Sequence, residues 1–237
     1  MPAESISLAR ALSKFGFCSR SRAALYIKAG KVAVNGNVIK LPSSRVDPNK
    51  DVVEVDKRHL SMPMTTVLML HKPRGFVTTA SDELSRKTVY DLVPSHLHLF
   101  PVGRLDLDTT GLLLFTNNGS IQNRINSPES EIPKTYLVGV IGKVTRDQVK
   151  KLMRGVEIRD GIICKADECE IVGTDSSNSR LRIKIHEGKN REIIRMFHAI
   201  GKKVSSLHRT AIGKLELDIP EGRWRELSRK EIERVLG

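Results

Sequence analysis

Apolar residues first recur at helical spacing. Leu8, Ala11, Leu12 and Phe15 share one face, and Gly16 closes the run. Ser19 stands where a helix cap is expected, ahead of Ala23, Ala24 and Ile27 on one face and a stop at Gly30. The period then shortens to two. Val32 and Val34 lead into Asn35-Gly36 and then Val38-Ile39, which predicts a tight hairpin. Val46 and Val52–Val55 predict further short strands, and residues 57–64 read as a linker. Thr65–Leu70 is a β-rich apolar run, followed by a turn, His71–Phe76, that carries Lys72 and Arg74. Residues 87–94 predict a short helix stopped by Pro94. Leu112–Phe115 is continuously apolar between Gly111 and Asn117-Asn118-Gly119, so it predicts a short buried strand. Ser120–Asn126 predicts a short helix. Lys134–Val140 alternates like a half-buried strand, and Thr145 caps a helix reaching Met153. Ile162–Val172 and Leu181–Ile185 predict strands joined by a polar loop. A turn at 187–190 opens a helix that Gly201 ends, Val204–Leu217 alternates as a strand, and Ser228–Leu236 is a helix with Glu231 in the capping-box position.

The chain of 237 residues is long enough for two domains, one of them small. Lys+Arg 40 against Asp+Glu 27 gives a net charge of +13, which favours a polyanionic partner, above all nucleic acid. Arg10, Lys14, Arg20, Arg22, Lys28 and Lys31 crowd the first two helices and the hairpin, a composition suited to holding phosphates. No run reaches membrane-spanning length, and the N-terminus lacks a secretory pattern, so a cytoplasmic chain without a membrane partner is expected. Cys18, Cys164 and Cys169 cannot all pair and read as reduced thiols. Cys164 and Cys169 have no matching Cys or His pair nearby, and the histidines form no ligand cluster by spacing, so no metal is expected. There is no Walker loop and no Gly-rich dinucleotide fingerprint.

The stretch Pro101–Gly119 carries the densest chemistry. A loop bracketed by Gly103 and Thr109-Thr110-Gly111 holds Arg104, Asp106 and Asp108 directly before the apolar strand. A carboxylate fixed there suits a nucleophile or general base. An ordinary Asp-rich turn has the same spacing. Tyr136 has an aromatic face suited to an unstacked base, and a core tyrosine fits its strand equally. Lys72 and Arg74 read either as contacts to phosphate or as solvated turn charges.

Gly103-Arg104-Leu105-Asp106 with Thr109, Gly111, the Leu run and Thr116-Asn117 resembles the signature of the ribosomal-RNA pseudouridine synthases of the RsuA/RluB type. The pattern Ser19-Arg20, Ile27, Gly30-Lys31-Val32 and Val34-Asn35-Gly36 resembles their N-terminal alpha-L (S-four-like) RNA-binding domain. His71–Phe76 is similar to the family's Lys-Pro-x-Gly turn, Lys134-Thr135-Tyr136 to its Lys-x-Tyr motif, and Glu187–Met196 with Leu207–Gly213 to its closing block. The resemblance implies an α+β protein: an alpha-L domain at 1–60, then a catalytic domain at 61–237 on a mainly antiparallel, partly mixed sheet. It implies isomerisation of one uridine in ribosomal RNA to pseudouridine on a flipped-out nucleotide, without a cofactor. The implied partner is ribosomal RNA or a ribosomal-subunit assembly intermediate, met by a monomer. It makes Asp106, not Asp108, the catalytic carboxylate. Arg104, Tyr136, Arg195, Arg191, Arg209, Lys72 and Arg74 become substrate-binding candidates, and the N-terminal cations serve docking. One position departs from the pattern: Ile194 stands where the family has Arg or Lys beside its aspartate. Without that cation a buried aspartate is expected to ionise poorly unless Arg195, Arg191 or Arg209 compensates. The departure also admits a different reading, a non-catalytic RNA-binding assembly factor on the same scaffold.

Overall fold

The computed structural model describes residues 5–237. They form two compact units. One holds the chain through Thr66 with residues 95–100 and 117–119. The other holds 67–94, 101–116 and 120–237.

In the first unit, Ile6–Ser7 (β1) leads into the helices Leu8–Lys14 (α1) and Arg20–Lys28 (α2). The side chains of Ser7 and Ser19 accept from the amides of Arg10 and Arg22, the caps that satisfy orphan N–H groups at each helix start. Val32–Val34 (β2) and Asn37–Val38 (β3) form the expected hairpin, with Asn35 and Gly36 both at positive φ. Arg45–Val46 (β4) pairs with β1, while Val53–Val55 (β5) and Arg58–His59 (β6) complete a four-stranded sheet in the order β3-β2-β5-β6. The stretch expected as linker therefore begins with a turn at Asp56-Lys57 and a strand. Leu8, Leu12, Ile27, Val32 and Val53 fill the core. Arg10, Arg20, Arg22, Lys28 and Lys31 are exposed and Lys14 is half-buried. Two of them, Arg20 and Arg22, sit in the first turn of α2, which has no acidic residue. The helix dipole disfavours cations there, so local helix stability does not account for their placement.

The second unit is built on a nine-stranded sheet. Its strands are Val67–Lys72 (β7), Phe100–Val102 (β8), Thr110–Thr116 (β9) and, after helix Gly119–Asn126 (α3), Lys134–Ile141 (β10). Helix Arg146–Arg154 (α4) and a separate hairpin, Val156–Arg159 (β11) with Ile162–Cys164 (β12), precede Glu168–Thr174 (β13) and Asn178–Ile185 (β14). Helix Glu192–Ala199 (α5), Lys203–Ile212 (β15), Leu215–Glu216 (β16), Trp224–Glu226 (β17) and helix Arg229–Leu236 (α6) close the chain. The order is β13-β14-β10-β15-β9-β7-β17, with β16 on β15 and β8 on β9. The pairings whose direction is recorded are antiparallel except β9 with β15, which is parallel. The sheet is thus mainly antiparallel and partly mixed, as expected. Val67, Met69, Leu112 and Leu114 belong to one apolar cluster, and Leu68, Leu70, Leu113 and Phe115 are also buried. Both faces of β7 and β9 are covered, which is why their sequences are continuous apolar runs rather than alternations.

Two strand expectations are corrected. Ile162–Val172 is broken, its first part pairing with β11 and only its second joining the large sheet. Val204–Leu217 turns back at Gly213, whose φ of +58° permits the reversal, and whose Cβ would lie 2.7 Å from the Val235 carbonyl oxygen.

Candidate functional site

The loop between β8 and β9 is fastened from beneath. Lys72, the last residue of β7, is fully buried, and its Nζ donates to the carbonyl oxygens of Thr109 (2.8 Å), Asp106 (3.0 Å), Pro73 (3.1 Å) and Leu107 (3.4 Å). Thr78 Oγ1 donates to the Leu105 carbonyl and accepts from the Leu105 amide. The Gly75 amide donates to the Leu107 carbonyl, and the Leu105 side chain is buried. The loop backbone is therefore held at each residue from 105 to 107 while the Asp106 carboxylate stays exposed. Lys72 is not a turn cation free to meet phosphate; it organises the loop. Arg74 is also committed, by Nε and Nη2 contacts of 2.9 and 2.8 Å to Asp108.

Burial pushes Lys72 down to about 8, opposed in part by Asp106 and Asp108. At neutral pH it is mostly an ammonium with three N–H groups; above pH 8 the amine keeps two. The sign for stability runs the other way. The unfolded lysine holds its proton to about pH 10.4, so the cost of burying the charge is fully present below pH 8 and fades as pH rises from about 8 to about 10.4. Catalytic rate is accordingly expected to fall above about pH 8 without this group lowering the melting temperature over the same range. Parallel pH–rate and pH–melting curves check it; a rate limb that persists in Lys72→Met would assign the fall to another group.

Above the loop lies a cavity of about 590 Å³ whose wall includes Arg104, Asp106, Lys134, Tyr136, Arg191 and Arg209. Tyr136 on β10 is paired in register with Arg209 on β15 and is 8% exposed. Arg209 is 4% exposed. Its Nε donates to the Leu112 carbonyl at 2.7 Å and Nη1 to the Tyr136 hydroxyl at 3.4 Å, while Nη2 is buried without a hydrogen-bond partner among the described residues. A buried guanidinium nitrogen left unpaired is costly unless something outside the chain bonds to it. Gly111 makes this placement possible. A Cβ at Gly111 would lie 2.2 Å from the Arg209 carbonyl oxygen and 2.6 Å from its nitrogen. Only glycine lets β9 and β15 approach this closely.

The sequence candidates thus divide. Asp106, Arg104, Tyr136, Arg191 and Arg209 share the cavity. Arg191 holds a left-handed backbone, φ +51°, at the cap of α5, a conformation uncommon outside glycine. Arg195 is bonded to Asn190 at 2.8 Å, and α5 contributes Glu192 and Ile193 to the wall, not Ile194 or Arg195. The expectation of a buried catalytic aspartate is also corrected, because the Asp106 side chain faces solvent.

Three further wall residues, Lys134, Lys189 and Glu192, stand within the recognised motifs but were not among the site candidates. Burial, then Arg209, pushes the Lys134 ammonium down; it donates to the His186 carbonyl. Burial pushes Glu192 up, although its carboxylate accepts from the Lys189 amide. The Lys-x-Tyr spacing was a signal for Lys134. Cys164, Glu187 and Glu192 bring potential ligand atoms within 4.8 Å of one another, but Lys189 Nζ lies 2.5 Å from Glu187 and 3.7 Å from the Cys164 sulfur. A lysine ammonium already supplies the positive charge there.

An exposed carboxylate on a fastened loop thus shares one cavity with a buried tyrosine, a buried guanidinium and further cations. The chain belongs to the RNA pseudouridylate synthase family, which matches residues 66–199, and residues 4–52 match the S4 domain. It is 38% identical over 228 residues to an uncharacterised RNA pseudouridine synthase of Aquifex aeolicus, covering 95% of this chain and 91% of that one. It is 36% identical over 234 residues to ribosomal large subunit pseudouridine synthase B of Bacillus subtilis, covering 96% and 94%. A crystal structure of a pseudouridylate synthase superimposes with a TM-score of 0.68 at 32% identity, over 97% of this chain and 99% of that one. No helix among the described residues is long and apolar enough to cross a membrane.

Proposed function

We propose that this chain isomerises a uridine of large-subunit ribosomal RNA to pseudouridine, with Asp106 as the catalytic carboxylate. The observation that carries the reading is that Asp106, Tyr136 and Arg209 line one cavity although they lie on separate segments of the chain. Tyr136 offers a ring face to an extruded base, and the unpaired Arg209 nitrogen awaits an acceptor oxygen of the nucleotide. Arg104 and Arg191 stand at the same wall to hold the backbone. The isomerisation breaks the glycosidic bond, turns the base and joins its carbon 5 to the sugar, so it consumes no co-reactant. Residues 1–60 dock RNA through their exposed cations, and 61–237 carry the chemistry. In this reading the chain acts as a monomer in the cytoplasm on ribosomal RNA or on a subunit assembly intermediate. Mapping pseudouridines in ribosomal RNA from cells with and without the gene tests it: one large-subunit position is expected to disappear. An unchanged map would favour the non-catalytic assembly factor instead.

Ile194 bears on the rate. Arg209 supplies a buried cation to the same cavity that the exposed Asp106 side chain lines. Ile194→Arg is therefore expected to change turnover at neutral pH by less than about threefold, under ~0.7 kcal/mol. A large gain, with the wild type active only at high pH, would show that Asp106 lacks a partner.

A further inference from the structure

We propose that the end of the large sheet remote from the cavity is a second contact surface for the phosphate backbone of the substrate RNA. This rests on the reading of the chain as an RNA-modifying enzyme and extends the substrate's path across it.

Strand β10 starts in the cavity wall at Lys134 and ends at Ile141, a run of about 23 Å at the usual strand rise. At that far end Ile141 pairs with Lys203 of β15 and with Asn178 of β14, and Gly139 pairs with Arg180. Lys143 and Arg146 follow Ile141 into α4, and Lys202 Nζ donates to the Lys143 carbonyl at 2.8 Å. Lys143, Arg146, Arg180 and Lys203 are exposed and Lys202 is half-buried. None of the five forms an ion pair among the described residues.

The rest of β14 provides a contrast. Arg182 and Lys184 are paired with Glu170 and Glu168 on the neighbouring strand. Cations on this sheet are neutralised along its middle and left without an ion pair at its end among the described residues. Of the local carboxylates, Asp147 lies 3.8 Å from Lys150, and Asp175 accepts from the amides of Ser177 and Asn178 and feels Arg180 only at longer range.

The surface between these cations is low and rich in hydroxyls. A Cβ at Gly139 would meet Ser206 Oγ at 2.4 Å and Ser205 Oγ at 2.9 Å, so the two serines lie flat over the glycine. Point charges and hydroxyl donors on an open surface suit phosphate oxygens, and carry no requirement for a base sequence. Gly139, Arg180 and Ser206 lie on the sheet face opposite Tyr136 and Arg209, so an RNA chain held here passes round the far end of the sheet, some 20 Å along β10 from the cavity wall at Lys134.

The test is the full-length triple variant Lys143→Gln, Lys202→Gln, Lys203→Gln, with a transcript of large-subunit ribosomal RNA from the same cells as probe. Each lost phosphate contact flattens the plot of log affinity against log salt by about 0.7–0.9, so a slope shallower by about 2 is expected. The corresponding triple arginine variant is expected to restore the slope. A charge-matched control, Lys214→Gln, Arg223→Gln, Lys230→Gln, is expected to leave it unchanged. A wild-type slope in the first triple variant, or an equal flattening in the control, overturns the proposal. An unchanged RNA slope with lost binding to ribosomal proteins overturns it too and assigns the surface to a protein. Pseudouridine formation on the same transcript is measured in the wild type, so a failure of the enzymatic reading is seen separately from a failure of this surface.

Discussion

Asp106→Asn is expected to abolish pseudouridine formation, by about 10⁴-fold or more, while leaving RNA affinity and melting temperature near those of the wild type. The separation of function from stability follows from how the loop is held. Lys72 and the Thr109 amide bond to the Asp106 carbonyl, not to its carboxylate. The carboxylate is exposed and makes no hydrogen bond among the described residues, so an isosteric amide breaks no buried bond and removes only its favourable field at the Lys72 ammonium. Asp108→Asn is the control. It breaks an ion pair with Arg74 in which both side chains are 72% exposed, worth about 0–1 kcal/mol, so activity is expected to stay within about tenfold. Single-turnover assays on ribosomal RNA with melting curves of both variants check the pair. If Asp108→Asn were dead and Asp106→Asn active, the carboxylates would have to exchange roles.

Gly111→Ala is expected to have the largest structural effect of any single methyl group in the second unit. Its φ of +107° is already unfavourable for an L residue, and the new carbon would sit 2.2 Å from backbone rather than from a side chain that could swing away. The two strands must part. That breaks the parallel pairing of His208 with Thr110 and of Arg209 with Gly111, and the Arg209 bond to the Leu112 carbonyl goes with it. A cost of about 3–5 kcal/mol lowers the melting temperature of a chain of this size by roughly 10 °C, with activity lost even where the protein stays folded. Gly36→Ala is the comparison: a Cβ there meets nothing within 4 Å. A Gly111→Ala variant melting within about 2 °C of the wild type would mean that the close approach is not required.

What could be read from the sequence was local. Ser19, Thr145 and Ser228 announced helix starts because a cap is a contact within four residues, and Asn35-Gly36 announced a hairpin for the same reason. The runs at 67–70 and 112–115 showed buried strands, since burial on both faces leaves no polar positions to alternate. Lys72 was misread because a lysine before proline looks like a turn charge; its burial is set by carbonyls more than thirty residues away. Gly213 hid a chain reversal, because Val204–Leu217 keeps its alternation through the turn. The exposure of Asp106 was equally invisible, since it depends on which atoms of the residue the loop uses to fasten itself. Family likeness pointed to the aspartate, but its physical setting had to be seen.

The parallel pair of β9 and β15 also has a consequence for how the protein comes into being. Its bonds join residues almost a hundred positions apart, such as Thr110 and His208. Closing a loop of that length costs entropy before any contact repays it, and such contacts form late in folding. A ribosome that has made the aspartate loop has made nothing able to act; the guanidinium that completes the cavity follows about a hundred residues later. Synthesis from the N-terminus thus supplies the S4 domain first and the completed cavity last.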